Sequence, residues 1–303
     1  MCQIRPSRTV IQEMERPKGK PMTTITYKTI VAVLRDLEET NRILPVAIDL
    51  AREHDAHLIT LHSEPATPIL ATPDGFASVE AAASERIEAE GRATTLESHV
   101  RELCDREGIS YEAHDAVFNP GGTAGLAVPI AITADLVICG QPNEETGTGT
   151  AYELEQIIFK SGRPVLIVPT AFDKEADLKV VTLAWNGTRE SARAAFDSLP
   201  ILKMAKSVEV LVVDPESDTN QDSGAVGHDI ASSLSRHGVN VSVKIVMSGG
   251  IPVGETIENR LAETRSGMIV MGAYSKSRLR ERLFGGVTRT ILGSTPALTL
   301  MSH

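Results

Sequence analysis

The sequence predicts an α/β protein made of two tandem open parallel-sheet domains with helices on both faces. Three observations predict it. Short apolar runs alternate with longer segments of helical periodicity, as a parallel sheet crossed by helices requires. The same order of runs occurs twice in 303 residues, and corresponding landmarks keep a nearly fixed spacing. Composition agrees: 42% of residues are hydrophobic but only 4% aromatic, which suits aliphatic strands buried between helices better than an aromatic-lined sandwich.

The first copy opens with the apolar run Tyr27 to Leu34, a buried strand. Ile43, Val46, Ala47, Leu50 and Ala51 then recur at helical spacing, and Ala56 to Leu61 reads as a second strand. The stretch Ala77 to Leu103 is rich in Ala and Glu and reads as helix, followed by an extended segment from Ser110 to Val117. After Asn119 to Gly122 a helix of small residues leads to the strand Asp135 to Gly140. A helix over Ala151 to Lys160 feeds the closing strand Pro164 to Val168.

The second copy repeats that order. Its first strand runs Leu178 to Ala184, its first helix Ser191 to Met204, and its second strand Ser207 to Asp214. Helix over Val226 to His237, extension over Val239 to Val246, helix over Gly254 to Ser266 and strand Met268 to Gly272 follow, and a last helix precedes the strand Pro296 to Leu300. Gly140 and Gly272 lie 132 apart, as do Pro164 and Pro296; Val31 and Val181 lie 150 apart, so the first copy carries its extra residues between its second and fourth strands. A duplicated unit explains these spacings. Residues 1 to 26 form a tail, 27 to 175 a first domain and 176 to 303 a second, with the boundary near Ala171 to Ala176.

The net charge of −10 argues against nucleic-acid binding through a global field. Cys2, Cys104 and Cys139 are far apart and make neither a CxxC nor a disulfide framework. No run reaches the roughly 18 apolar residues a membrane helix needs, and the tail lacks a signal-peptide core, so a cytoplasmic protein off the membrane is expected. The histidines form no HExxH pattern, no GxSxG elbow occurs, and neither GxxxxGK[ST] nor GxGxxG follows a first strand.

In an open parallel sheet, ligands bind beyond the carboxyl ends of the strands, where strand order reverses. In the second copy that rule selects Asn186 in the Trp185 to Gly187 turn, Asp214, the Ser248 to Pro252 loop, and the stretch MGAYSKSRLRERLFGGVT, Met271 to Thr288. Glycines there let backbone approach an anion, and a helix start supplies amide donors. The competing reading makes Gly272, Gly285 and Gly286 packing and turn residues, and Arg278, Arg280, Arg282 and Arg289 a solvated basic face.

These residues resemble the universal stress protein family in its tandem two-domain form, over about residues 27 to 302. The resemblance implies the family's adenine-nucleotide α-hydrolase-like fold. Its ATP-binding members carry G-x2-G-x9-G-[ST] after the fourth strand. Here the matching stretch has Gly272, Ser275 in place of the second glycine, Gly285, and Gly286 in place of the hydroxyl residue, with Val287 and Thr288 next. Thr288 is a substitute hydroxyl, and Asn186 stands where members place an aspartate near adenine and ribose. The first copy departs further: Glu153 and Leu154 occupy the positions of Gly285 and Gly286, Glu144 and Glu145 add negative charge, and only the acid in Arg35-Asp36 matches.

The resemblance therefore implies a stress-response protein whose second domain binds ATP or a related adenine nucleotide, with Mg²⁺ as its companion, at Asn186, Asp214, Gly272, Ser275, Gly285, Gly286, Val287 and Thr288. The first domain is a structural partner. Gly272→Val is expected to abolish binding with little loss of fold. The alternatives are a nucleotide-independent scaffold or adaptor and, below it, a slow Mg-dependent ATP hydrolase. The resemblance also suggests that the two domains pair through their final strands, hiding two apolar edges, and it is compatible with a further homodimer of chains.

Overall fold

The computed structural model describes residues 25–65, 76–119, 122–142, 148–172, 177–215, 227–273 and 286–303. The first copy contains β1 (Thr29–Leu34), α1 (Leu37–His54), β2 (His57–Pro65), α2 (Phe76–Glu107), β3 (Tyr111–Asn119), α3 (Gly122–Ala131), β4 (Leu136–Gly140), α4 (Thr148–Ser161) and β5 (Val165–Val168). The second contains β6 (Asp177–Ala184), α5 (Arg189–Asp197), α6 (Leu199–Leu202), β7 (Ser207–Val213), α7 (His228–Arg236), β8 (Val241–Val246), α8 (Val253–Thr264), β9 (Ser266–Gly272), α9 (Gly286–Ser294) and β10 (Leu298–Ser302).

All ten strands join one sheet in the order β3-β2-β1-β4-β5-β10-β9-β6-β7-β8. Every neighbouring pair is parallel except β5 and β10, which run antiparallel with Thr299 opposite Ile167 and Leu300 opposite Leu166. Strand order thus reverses between β1 and β4 and again between β6 and β9. Each half has its own crevice at the carboxyl ends of its strands.

Burial explains the runs of Val, Ile and Leu. β4 and β5 are buried at every position and so show no polar alternation, β10 is equally buried but includes Thr299 and Ser302, and the edge strand β8 alternates half-buried and exposed residues over Val241 to Lys244. One apolar cluster packs α1 and α5 on one face of the sheet, with Leu166, Val168, Leu298 and Leu300 at its centre. The other packs α3, α4, α8 and α9 around Val165, Ile167, Ile269 and Met301. Both clusters run through the β5–β10 junction.

Local chemistry sets the helix ends. Asp36 caps α1, its carboxylate accepting from the Glu39 amide at 2.7 Å, and Asp55 closes it at φ 48°. The single helix expected over Ser191 to Met204 is instead two, α5 and α6, separated at Ser198. Pro200 explains the break: it has no N–H for the carbonyl of Phe196, and its ring crowds that group.

Register also corrects the spacing of the copies. Val31 faces Val137 and Thr182 faces Ile269. Residues 137 and 269 are 132 apart, as the two glycines are, so the partner of Val31 in the repeat is Thr182, 151 residues on, rather than Val181. Asn186 is then the counterpart of Arg35, and Gly187 of Asp36.

Candidate functional site

The second-half crevice lies where β6 and β9 end side by side, Ala184 opposite Met271. Asn186 leaves β6 into the turn before α5 and is exposed. Its carboxamide oxygen accepts from the Thr188 hydroxyl at 2.8 Å and from the Thr188 amide at 3.3 Å. Thr188 in turn caps α5 by accepting from the Ser191 amide at 3.3 Å. Gly187 makes the turn at φ 70°. Asn186 is thus partly spent on organising the helix start.

Gly272 ends β9 directly beneath that helix. A Cβ at this position would stand 2.5 Å from the Ser191 amide nitrogen and 2.6 Å from the Glu190 carbonyl carbon. Glycine is required here by close approach of backbone to backbone, so Gly272→Val disrupts the packing of α5 on the sheet. This corrects the expectation that it would spare the fold. Glu190 itself is an acid the sequence reading passed over: its side chain is 13% exposed and 3.2 Å from Arg189. Hydrogen bonds from its own amide and from Thr188, with the Arg189 charge, hold its carboxyl below the usual range. Its sequence signal is only that of an acid in a helix first turn.

Asp214 ends β7 in the left-handed region, at φ 45°. Its carboxylate accepts from the Ser248 amide at 2.8 Å, and hydrogen bonding from Ser248 lowers its pKa. That bond fixes the loop leading from β8 to α8, in which Gly249 and Gly250 take φ 64° and 96°. Asp214 is placed at the same end of the sheet as Asn186 and Gly272, one strand farther out.

The other wall of the crevice comes from α8 and α9. Gly254, in the first turn of α8, lets Thr290 of α9 approach so closely that a Cβ there would be 2.7 Å from the Thr290 Cβ. Thr290 is one turn into α9 and bonds back to the Gly286 carbonyl at 3.1 Å. The amino ends of α8 and α9 are therefore neighbours. Pro252 makes no side-chain cap on α8, and neither Gly286 nor its first-turn followers are acidic. Gly286 is exposed with open space where a Cβ would go, Val287 is half-buried, and Thr288 is 4% exposed, inside the helix packing rather than at its open end. Ser275 and Gly285 lie outside the described residues.

The first-half crevice is furnished differently. Glu39 reaches from α1 across Gly140, so that a Cβ on Gly140 would overlap its carboxylate oxygen. The carboxylate pairs with Arg35 at 3.1 Å, their side chains 6% and 15% exposed. Burial raises the Glu39 pKa, against the lowering effect of Arg35. Glu153, on α4, accepts from the Thr123 amide at 2.9 Å. Carboxylates thus lie over the strand-ending glycine and at the start of α3. Glu144 and Glu145 lie outside the described residues.

Among the described residues no group of three or more His, Cys, Asp or Glu side chains is placed to hold a metal. No helix among them is long and apolar enough to cross a membrane.

Comparison with known proteins now has a geometry to attach to. The model of the universal stress protein family matches residues 26–169. A universal stress protein from Archaeoglobus fulgidus DSM 4304 is similar in structure, with a TM-score of 0.65 over 90% of this chain and 95% of that one, at 13% identity. A functionally unknown protein from Pseudomonas aeruginosa PAO1 matches over 91% of this chain and 92% of that one, with a TM-score of 0.57 and 14% identity. No curated protein matches the chain. The ten-stranded sheet, its halves wound alike, agrees with those full-length likenesses in fold. Residues 26–169 match the universal stress protein family by sequence, and the chain as a whole shares its fold with these full-length structures.

Proposed function

We propose that this stress-response protein binds an adenine nucleotide, ATP or a relative, in its second half. One observation carries the reading: the amino ends of α8 and α9 meet, through Gly254 and Thr290, beside the carboxyl ends of β6 and β9, with no side-chain cap on α8 and Glu255 as the acid of its first turn. Converging helix starts offer amide donors and a favourable field to phosphate oxygens. Asn186 supplies an amide group on the opposite wall for a base or ribose. Gly272 serves by letting α5 close against the sheet, and Asp214 by fixing the Ser248 loop. Val287 and Thr288 contribute main-chain groups, since the Thr288 side chain is buried. Mg²⁺ would arrive with the phosphates, which supply the oxygen ligands it prefers. On this reading residues 27–175 and 176–303 act as two domains within the chain, joined at β5 and β10.

A nucleotide-independent scaffold is the second reading, favoured by the purely structural reason for Gly272 and by the charged Glu190 at the crevice lip. Measurement of nucleotide released by acid from native protein, followed by ATP titration of the emptied protein, separates the two. The decisive variant is Gly286→Asp. The new carboxylate has room, stands in the first turn of α9 where the helix dipole favours it and leaves stability equal or higher, yet it opposes phosphate at that helix start. Binding is expected to fall by about tenfold or more, roughly 1.4 kcal/mol. Unchanged ATP affinity in Gly286→Asp, or no binding by the parent, would leave the scaffold reading standing.

A further inference from the structure

We propose that Glu153 is a built-in anion, whose carboxylate occupies the amino end of α3 and keeps phosphate-class anions off the first half of the chain. The inference goes beyond the second-half nucleotide site and stands independently of it. It begins with α3, ten residues long, which has no acidic residue in its own first turn. A helix start carries unpaired amides and partial positive charge. Here the Thr123 amide donates at 2.9 Å to a carboxylate from a different helix, thirty residues away in sequence.

The space that carboxylate fills is provided by Gly122. Its φ of 62° favours glycine, and a Cβ there would stand 2.6 Å from Glu153 Oε1. A side chain at 122 would displace the oxygen, so the chain has left room for an anion and then filled it. A second observation comes from Ser63, at the carboxyl end of β2 and 4% exposed. Its hydroxyl has no hydrogen-bond partner among the described residues. Alternation places it on the sheet face of Ile59 and Leu61, which pack with Ala124 and Ala127 of α3. This corner of the fold therefore combines an anion-accepting helix start with a buried hydroxyl that no group among the described residues uses.

A tethered carboxylate competes at high effective concentration, and it repels an incoming anion as well as excluding it. Among the described residues the start of α8 takes no carboxylate from another helix, although Glu255 stands in its own first turn. The position of Glu153 in the repeat is taken by Gly285, which has no carboxylate, and Pro252 leaves α8 without a side-chain cap. The copies thus differ at the position that supplies the tethered carboxylate in the first.

The test follows the Thr123 backbone amide by NMR in the full chain, with inorganic pyrophosphate as the probe. In the parent protein this resonance should ignore pyrophosphate. In Glu153→Ala it should shift saturably with pyrophosphate, with an affinity about tenfold or more above that of the parent. In Glu153→Gln, which keeps the shape and loses the charge, the resonance should also respond to pyrophosphate, less than in Glu153→Ala and more than in the parent. No pyrophosphate response in Glu153→Ala, an equal response in the parent, or a Glu153→Gln protein as unresponsive as the parent would each overturn the proposal. Should Glu153→Ala fail to fold, the Gln variant decides alone; loss of folding in both makes Glu153 a core residue and also overturns it. Because Thr123 belongs to the first half, the result is read separately from ATP binding in the second.

Discussion

His54 shows how one residue can tie stability to pH. It ends α1 with its ring edge-on to Tyr27 at 5.0 Å, 3% exposed, and its Nε2 is buried without a hydrogen-bond partner among the described residues. Burial, and then the Lys28 charge, lower its pKa from the ordinary 6.5. The sign follows from proton counting. Below about 6.5 the unfolded chain binds a proton that the folded protein refuses, so this contribution to stability is complete above that pH and is lost as pH falls through the lower, folded value. Thermal midpoints measured across this acid range should fall faster for the parent than for His54→Phe, which keeps the ring and deletes the titration. Parallel curves would show that His54 takes its proton as easily folded as unfolded.

At the scale of elements, two glycines of one motif carry different demands. Gly272 lies under the backbone of α5, where nothing flexible can move aside, whereas Gly286 faces open space at the start of α9. Gly272→Ala should therefore cost about 1–3 kcal/mol, the usual range for overpacking, while Gly286→Ala should be neutral or stabilise by up to about 1 kcal/mol. Urea unfolding of both variants checks the contrast, and equal effects would refute it. The sequence shows that both are glycines near a strand end and a helix start, but not which backbone lies above them. Strands were legible because parallel strands buried on both faces read as continuous apolar runs, as in Val165 to Val168. Helices were legible from their periodicity, apart from the break before Pro200. Contacts such as Glu39 over Gly140 or Glu153 on Thr123 depend on which strands become neighbours and on the path of each crossing helix. No local pattern encodes those. Even the repeat offset slipped by one residue, because runs of β-branched residues such as Val180, Val181 and Thr182 offer no landmark that fixes register.

For the whole molecule, the junction of β5 with β10 decides whether the halves behave as one body. It is short, since β5 has four residues, but it is buried on both faces and both apolar clusters cross it. Polar ties reinforce it. The Tyr27 hydroxyl donates to the Asp197 carbonyl at 2.8 Å, Arg193 donates to the Gly162 carbonyl at 3.0 Å, and Gln141 bonds both the Leu292 carbonyl and, at 2.8 Å, the Thr170 amide. Separating the halves would expose an edge strand on each together with the middle of both clusters, a cost neither half can recover alone. Unfolding should accordingly be a single transition. Trp185, the sole tryptophan, reports on the second half, and exchange of the β1 and β4 amides reports on the first. The two probes should share one midpoint in denaturant. Leu300→Ala, which removes a fully buried side chain facing Leu166, should lower both together by about 2–5 kcal/mol. Loss of the native Trp185 signal while β1 and β4 stay protected would mean that the halves fold separately, and that β10 contributes to the second half alone.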